Sequence, residues 1–431
     1  MKRPLLLLGT FAAWLLACAP SPAMRAAETG DRAGLKSAVA ERETSATLSN
    51  RDAAALALTV ASREVRDATG PDAAARVRDA WPCAHELDDA LASRMKTHDE
   101  AGAEAALARV DGRGLELGDL RGYLGDTDPR WRAAGARSLV GPDDHAARLQ
   151  ALLDPDPHVR RQAARAARDA SDADDLGPLA EVARVDPEML VRTEAVRAIG
   201  ALRPRSDDQA AGVLRDLWPV GDDGLREDIA LAWAGPEMWD AGGREALRTV
   251  VASEHGAGAV EAAAAVLRHK DASGDVAVAA LAQLVRAIEQ GAPSTREQAI
   301  AQAPLDRPEL LAAVEKAAEG DDDDVRLAAL ARLAVSPAHD ARTVDALEAF
   351  AQPGSRLAHR ARFALASAGD RRIQGWLEQD LTSERAFDRL SAATALASLD
   401  ASARAAPLLA DVDPSVRVRV ACTLLMAARS R

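Results

Sequence analysis

The densest run of chemically active side chains is "GDDDDVRLAAL", residues 320–330. Four successive carboxylates, Asp321 to Asp324, raise the question of calcium. A helix–loop–helix calcium loop starting at Asp321 needs glycine at its sixth position and glutamate at its twelfth. Those positions hold Arg326 and Arg332, two cations, so that loop is excluded. The eight histidines are His85, His98, His145, His158, His255, His269, His339 and His359. No two stand three or four residues apart, the spacing that sets two ligands on one helix face. "CAHE" at 83–86 gathers a thiol, an imidazole and a carboxylate, but beside Pro82 it reads as a helix start. The chain has no GxxxxGK[ST] phosphate loop, no GxSxG elbow, no HExxH and no CxxC. No catalytic residue, metal or cofactor is expected.

The aspartates make sense in a longer register. "LGDTDPRWRAAGARSL" (124–139), "LLDPDPHVRRQAARAA" (152–167), "VARVDPEMLVRTEAVRAIGAL" (182–202) and "LLADVDPSVRVRVACTLL" (408–425) align without gaps. Each has an acidic turn, an apolar residue, an arginine and an Ala-rich helix. Anchoring on the arginine gives Arg132, Arg160, Arg192, Arg226, Arg296, Arg326, Arg360, Arg389 and Arg417, with Glu261 filling the one long gap. Successive steps run from 28 to 35 residues. Three residues after each anchor stand Gly135, Ala163, Ala195, Ile229, Ala264, Ala299, Ala329, Phe363, Ala392 and Val420, and the excess of Gly and Ala marks a close helix–helix contact. Asp126, Asp154, Asp186 and Asp411 each precede their arginine by six residues. In this register Asp321–Asp324 occupies the turn, where carboxylates cap free N–H groups and favour the positive end of the helix dipole.

The pattern resembles the HEAT repeat, in the short bacterial form first noted in phycobilin lyases. The likeness covers residues 116–431. It implies an all-α fold, an α-solenoid of about ten stacked antiparallel helix pairs. It also implies that the second helices line a concave face, and that the acidic turn residue and the arginine bond between neighbouring repeats as a ladder. Asp126, Arg132, Asp154, Arg160, Asp186, Arg192, Asp411 and Arg417 are the ladder residues so defined. The energetic logic holds without the family: one helix pair cannot bury both its faces, and stacked pairs share a continuous core. Iron-binding relatives of this repeat carry repeated His-Glu pairs, whereas this chain has one, His85-Glu86.

The start of the chain speaks to compartment. Met1-Lys2-Arg3 precedes an apolar stretch, Leu5 to Leu16, too short to span a bilayer. "LLAC", Leu15 to Cys18, resembles the lipobox of bacterial lipoproteins, in which the cysteine is lipidated and becomes the mature first residue. The alternative is an ordinary secretory signal with a chance cysteine. Ala19 after the cysteine implies outer-membrane sorting, facing the periplasm. The expected organisation is a signal peptide over 1–17, a flexible tether over 18–50 with room for a short helix around Gly34–Arg42, an N-terminal helical cap or small helical domain over 51–115, and the repeat solenoid over 116–431. Losing residues 1–17 removes Lys2 and Arg3 and moves the formal charge from −13 to −15. So acidic a chain repels phosphate backbones, and nucleic acid is not an expected partner. Cys83 and Cys422 remain, and in an extended fold they are expected as separate buried thiols.

Aromatic residues make up only 3% of the chain, yet Trp218, Trp233 and Trp239 fall within 22 residues. Trp233 follows Ile229 by one helical turn and reads as core. Trp218 and Trp239 adjoin turns and are the candidate partner-binding residues, because exposed tryptophan beside arginine carries interface energy. Gap-filling in an alanine core is the other reading. The expected function is a lipid-anchored, non-catalytic scaffold that binds a protein partner in the bacterial cell envelope. An enzyme or enzyme accessory of the lyase-type repeat class, or a structural spacer, are the alternatives.

Overall fold

The computed structural model describes residues 20–45, 48–113, 118–202, 209–253, 256–270, 272–336 and 341–429. The secondary structure among them is helical, with no strand. None of their helices is long and apolar enough to cross a membrane. Cys18 lies outside the described residues. The chain forms two compact units. One is built from both chain ends, up to residue 108 and from residue 371; the other is residues 109–370.

The 109–370 unit is an α-solenoid of stacked helix pairs. The first pair is the 3-10 segment Gly118–Gly125 with Pro129–Arg137, followed by His145–Leu152 with Pro157–Ala170, Leu176–Val185 with Met189–Ala201, and Gln209–Leu217 with Asp223–Trp233. Arg244–Ser253 with Ala257–Arg268, Gly274–Gln290 with Pro293–Gln302, Pro308–Ala318 with Asp323–Ala334, and Ala341–Phe350 with Ala358–Ser367 complete it. Each second helix packs on the second helix of the next pair. Local sequence explains the starts. Proline stands at the first helical position in Pro129–Arg137, Pro157–Ala170, Pro293–Gln302 and Pro308–Ala318, where its missing N–H costs nothing. Asp128, Asp156, Asp222 and Asp322 accept hydrogen bonds from the first free N–H groups of their helices.

The core is mostly alanine, and its small side chains bring helix axes close. Of the residues three after each anchor, Gly135, Ala163, Ala195, Ile229, Ala264, Ala299, Ala329, Ala392 and Val420 are buried. A Cβ on Gly135 would lie about 3 Å from the backbone of Leu120 and Leu124, so that helix touches its partner main chain to main chain. Phe363 is the exception and is 44% exposed. The helix there starts at Ala358. Counting as in the other repeats, the fourth residue is Ala361, one position past the anchor Arg360. The inward position three residues on is then Ala364, which is buried. The register in this repeat is therefore offset by one from the sequence alignment, and Arg362, not Arg360, is the buried arginine, donating to the Ala351 carbonyl at 2.9 Å.

In the other unit, the C-terminal helix Pro414–Arg429 packs along Asn50–Arg66, with Gln374–Asp380, Ala386–Ser398 and the 3-10 segment Ser402–Ala410 beside them. The stretch expected as a flexible tether contains two helices, Pro22–Thr29 and Arg32–Ser45. Ala23, Ala26, Ala27, Leu35 and Val39 are buried against this unit. That corrects the expectation: a weakly periodic Ala-rich stretch finds its apolar partner in segments far away in sequence, which no local pattern announces. Gly30 makes the turn between the two helices. Its φ of +77° favours glycine, and a Cβ there would run into the Arg63 guanidinium.

Candidate functional site

The ladder arginines share one geometry. Arg132 donates through Nη1 to the carbonyls of Asp126 and Thr127 in its own turn, at 3.1 and 3.2 Å. Through Nε and Nη2 it grips Asp154 of the next repeat, at 2.9 and 3.0 Å. Arg160 does the same with the carbonyls of Asp154 and Pro155 and the carboxylate of Asp186, at 2.7 and 2.9 Å. Each ladder carboxylate also accepts the N–H two residues on, as Asp126 does from Asp128, Asp154 from Asp156, and Asp186 from Glu188. One arginine thus closes its own turn and fixes the next, with bidentate geometry that only a planar guanidinium offers. The Arg132 hydrogen bond holds the Asp154 carboxyl below the usual range. Burial pushes Asp186 upward, but the bonds from Arg160 and the Glu188 N–H outweigh it and leave the group lowered.

The regular rungs end at Arg192. It holds the carbonyls of Asp186 and Pro187, while Asp222 stands 3.9 Å away. Arg226 and Arg296 reach carbonyls, those of Trp218 and Ile288. Three of the four successive aspartates are held in a cap and ion pairs, and Asp321 is exposed. Asp322 caps its helix, Asp323 pairs with Arg326 at 2.7 Å, and Asp324 bridges Arg356 and Arg360, both at 2.7 Å.

The chain-end unit repeats the motif with an unforeseen last rung. Arg389 grips Asp411, and Arg417 holds the carbonyls of Asp411 and Val412. Its Nε and Nη2 meet Glu64 of Asn50–Arg66, both at 2.9 Å, with both side chains buried. Asn50 adds bonds to Ser402 and the Ala403 N–H. Beside them Cys83 and Cys422 form a disulfide across 339 residues, with Cα atoms 5.2 Å apart. That overturns the expectation of two separate thiols. It rested on an extended chain, whereas both cysteines belong to the same compact unit.

The tryptophans are also corrected. Trp218 and Trp239 are buried, 4% and 3% exposed. Trp218 stacks on Trp233 at 5.4 Å between centroids, with Arg226 over its ring, and Trp239 lies flat on His269 at 3.7 Å. These rings fill the gaps that small side chains leave, so they are core and not contact residues.

One cluster has the elements of a metal site. His145 Nδ1 stands 2.6 Å from Asp175 and 3.7 Å from Asp172. Arg148, however, is fully buried between the same carboxylates, donating to Asp175 at 2.7 Å and Asp172 at 2.9 Å, and to the Gly141 carbonyl at 2.9 Å. A guanidinium already supplies the balancing charge, and a cation entering there would meet it head-on. The cluster ties one helix pair to the next and does not fit a metal. A second polar seam crosses the second helices. Arg161, Arg168 and Arg197 surround the buried Glu194, and Arg197 also pairs with Asp228 at 2.8 Å. Burial raises Asp228, and burial raises its neighbour Glu227, which accepts from Gln298 at 2.9 Å. These groups are paired across helices, with no nucleophile among them.

Large apolar side chains left in water are the remaining feature, and four of them stand at or beside successive repeat turns. Leu153 precedes Asp154 and is 81% exposed, Val185 precedes Asp186 at 59%, Leu190 follows at 58%, and Val220 stands two before Asp222 at 75%. They add nothing to the core. The turns that carry them are set side by side by the Arg160–Asp186 rung and by Arg192 near Asp222. The sequence reading missed this edge, although Leu153, Val185 and Val220 were visible as hydrophobics placed outside the helical stripe.

Fold and site together define a helical-repeat protein. Residues 145–234 match the family model described as HEAT repeats. No curated protein matches the sequence. Among solved structures, an engineered protein is 21% identical, with 86% of this chain and 98% of that one covered at a TM-score of 0.29. A Kap121p mutant is 12% identical, covering 91% of this chain and 49% of its own at 0.29, and Kap121p bound to Pho4p is 13% identical, covering 80% and 45% at 0.28. This chain spans about half the length of those Kap121p chains.

Proposed function

We propose that this chain is a lipid-anchored, non-catalytic scaffold of the bacterial cell envelope that binds a protein partner through its repeat surface. The observation that carries the reading is the apolar edge of Leu153, Val185, Leu190 and Val220, held in series by the ladder. Exposed apolar groups rimmed by charge are the mark of a protein-binding surface. Asp154, Asp156, Glu188 and Asp222 supply that rim. Anchoring rests on the lipobox-like Leu15–Cys18, and outer-membrane residence on Ala19. The Cys83–Cys422 bond favours an oxidising compartment, where disulfides form and persist.

Crosslinking in envelope fractions followed by capture of the chain should recover a partner in near-stoichiometric amount. The variant carrying Leu153→Asp, Val185→Asp and Val220→Asp should stay folded and lose it. Capture that this variant leaves untouched removes the edge from the proposal, and the absence of any partner favours the spacer reading. Globomycin-sensitive processing with lipid labelling at Cys18 tests the anchor, and unchanged processing of Cys18→Ala sinks it.

A further inference from the structure

We infer that the chain-end unit lies directly against the lipid headgroups, held there by a leash too short to let it leave. The leash requires lipid at Cys18, as proposed above. What the structure adds is where the folded body begins. Ser21 caps the helix Pro22–Thr29 by accepting from the Met24 N–H at 3.2 Å. Ala23, two residues on, is already 2% exposed, and Ala26 and Ala27 follow it into the core. Met24 meets the Thr59 hydroxyl at 3.2 Å, and the Gly30 turn is pressed against Arg63. After that turn Leu35 and Val39 are buried and Arg32 donates to the Val412 carbonyl at 3.4 Å. The helix that receives this hairpin, Asn50–Arg66, is itself bound to the C-terminal helix through Glu64 and Arg417.

The consequence is a matter of chain length. Five residue steps separate Cys18 from the buried Ala23. Fully extended, they span at most about 18 Å. A free tether from Cys18 to Arg51 would instead reach roughly 120 Å at the same rise per residue. The first anchors a body to the membrane surface, while the second leaves it free to range through the surrounding space. The surface around the start of Pro22–Thr29 therefore faces a phospholipid bilayer.

The experiment uses the full lipidated chain on a supported bilayer of phosphatidylethanolamine and phosphatidylglycerol, with neutron reflectometry reading the distance from headgroups to protein. Protein density should begin at the headgroup layer. Inserting twenty Gly/Ser residues between Pro20 and Ser21 should move it outward by about 25 Å, the root-mean-square span of such a linker. A water layer wider than the leash under the lipidated natural chain overturns the inference while leaving the anchor intact. So does an insertion that changes nothing. Intact-mass analysis showing Cys18 without lipid overturns the anchor itself and the inference with it, so the two failures are told apart.

Discussion

Replacing Cys422 by alanine opens a covalent loop of about 340 residues, since the bonded cysteines stand 339 apart. The chain-entropy relation for such a loop gives a loss of about 6 kcal/mol at 25 °C, and measured losses for native disulfides run at about 2–5 kcal/mol. The measured range is expected, because an unfolded chain that keeps residual structure loses less entropy on closure than an ideal one, while the Arg417–Glu64 pair and the packing of Asn50–Arg66 on Pro414–Arg429 keep the variant folded. Cys83 and Cys422 are both buried, so the bond is out of easy reach of reductant until the unit opens. Urea unfolding followed by ellipticity should show Cys422→Ala and the fully reduced natural chain sharing one early transition, with the oxidised natural chain unfolding later. Labelling with a maleimide after denaturation without reductant should find neither thiol in protein from an oxidising compartment. Two labelled thiols, or superimposable urea curves for variant and natural chain, would falsify the closure.

The remaining predictions concern the ladder and the tryptophans. Arg160→Ala leaves the buried Asp186 carboxylate without its guanidinium and should cost about 3–5 kcal/mol in urea unfolding, whereas removing both charges with apolar residues should cost far less. The carboxyls of Asp154 and Asp186 are lower in the folded chain than in the unfolded one. Their contribution is therefore complete above the ordinary aspartate value near ~3.9 and is lost as pH falls through the lowered folded values. Asp228, raised by burial, works in the opposite sense and favours folding as it protonates. Acid unfolding should consequently be less steep in an Asp154→Asn, Asp186→Asn variant. Trp239→Ala should lower stability by about 3–5 kcal/mol, as core truncations of this size do; a fully stable variant that loses only partner binding would return Trp239 to the surface.

How much of this was legible without coordinates follows from the range of each interaction. Arg132, Arg160 and Arg192 could be lined up with Asp154 and Asp186 because turn, cap and anchor lie within a few residues and recur at repeat spacing. The tetra-aspartate was likewise settled by its register, since Arg326 and Arg332 stand where a calcium loop needs glycine and glutamate. The one-residue offset at Arg360 escaped because "AHRARFALAS" has arginine and alanine at several phases, and only packing picks which of them turn inward.

Sequence by itself determined the helix pairs, their caps and the ladder, because those depend on local periodicity and on short-range hydrogen bonds. Tertiary structure alone decided that Trp218 and Trp239 are core, that His145, Asp172 and Asp175 converge on Arg148, and that residues 22–39 are docked. It also decided that Cys83 meets Cys422 and that Glu64 takes the rung beyond Arg417. The last two span more than 300 residues, a separation that no repeat spacing relates. Both lie within one compact unit assembled from the two ends of the chain, so they depend on tertiary packing and not on any local stretch.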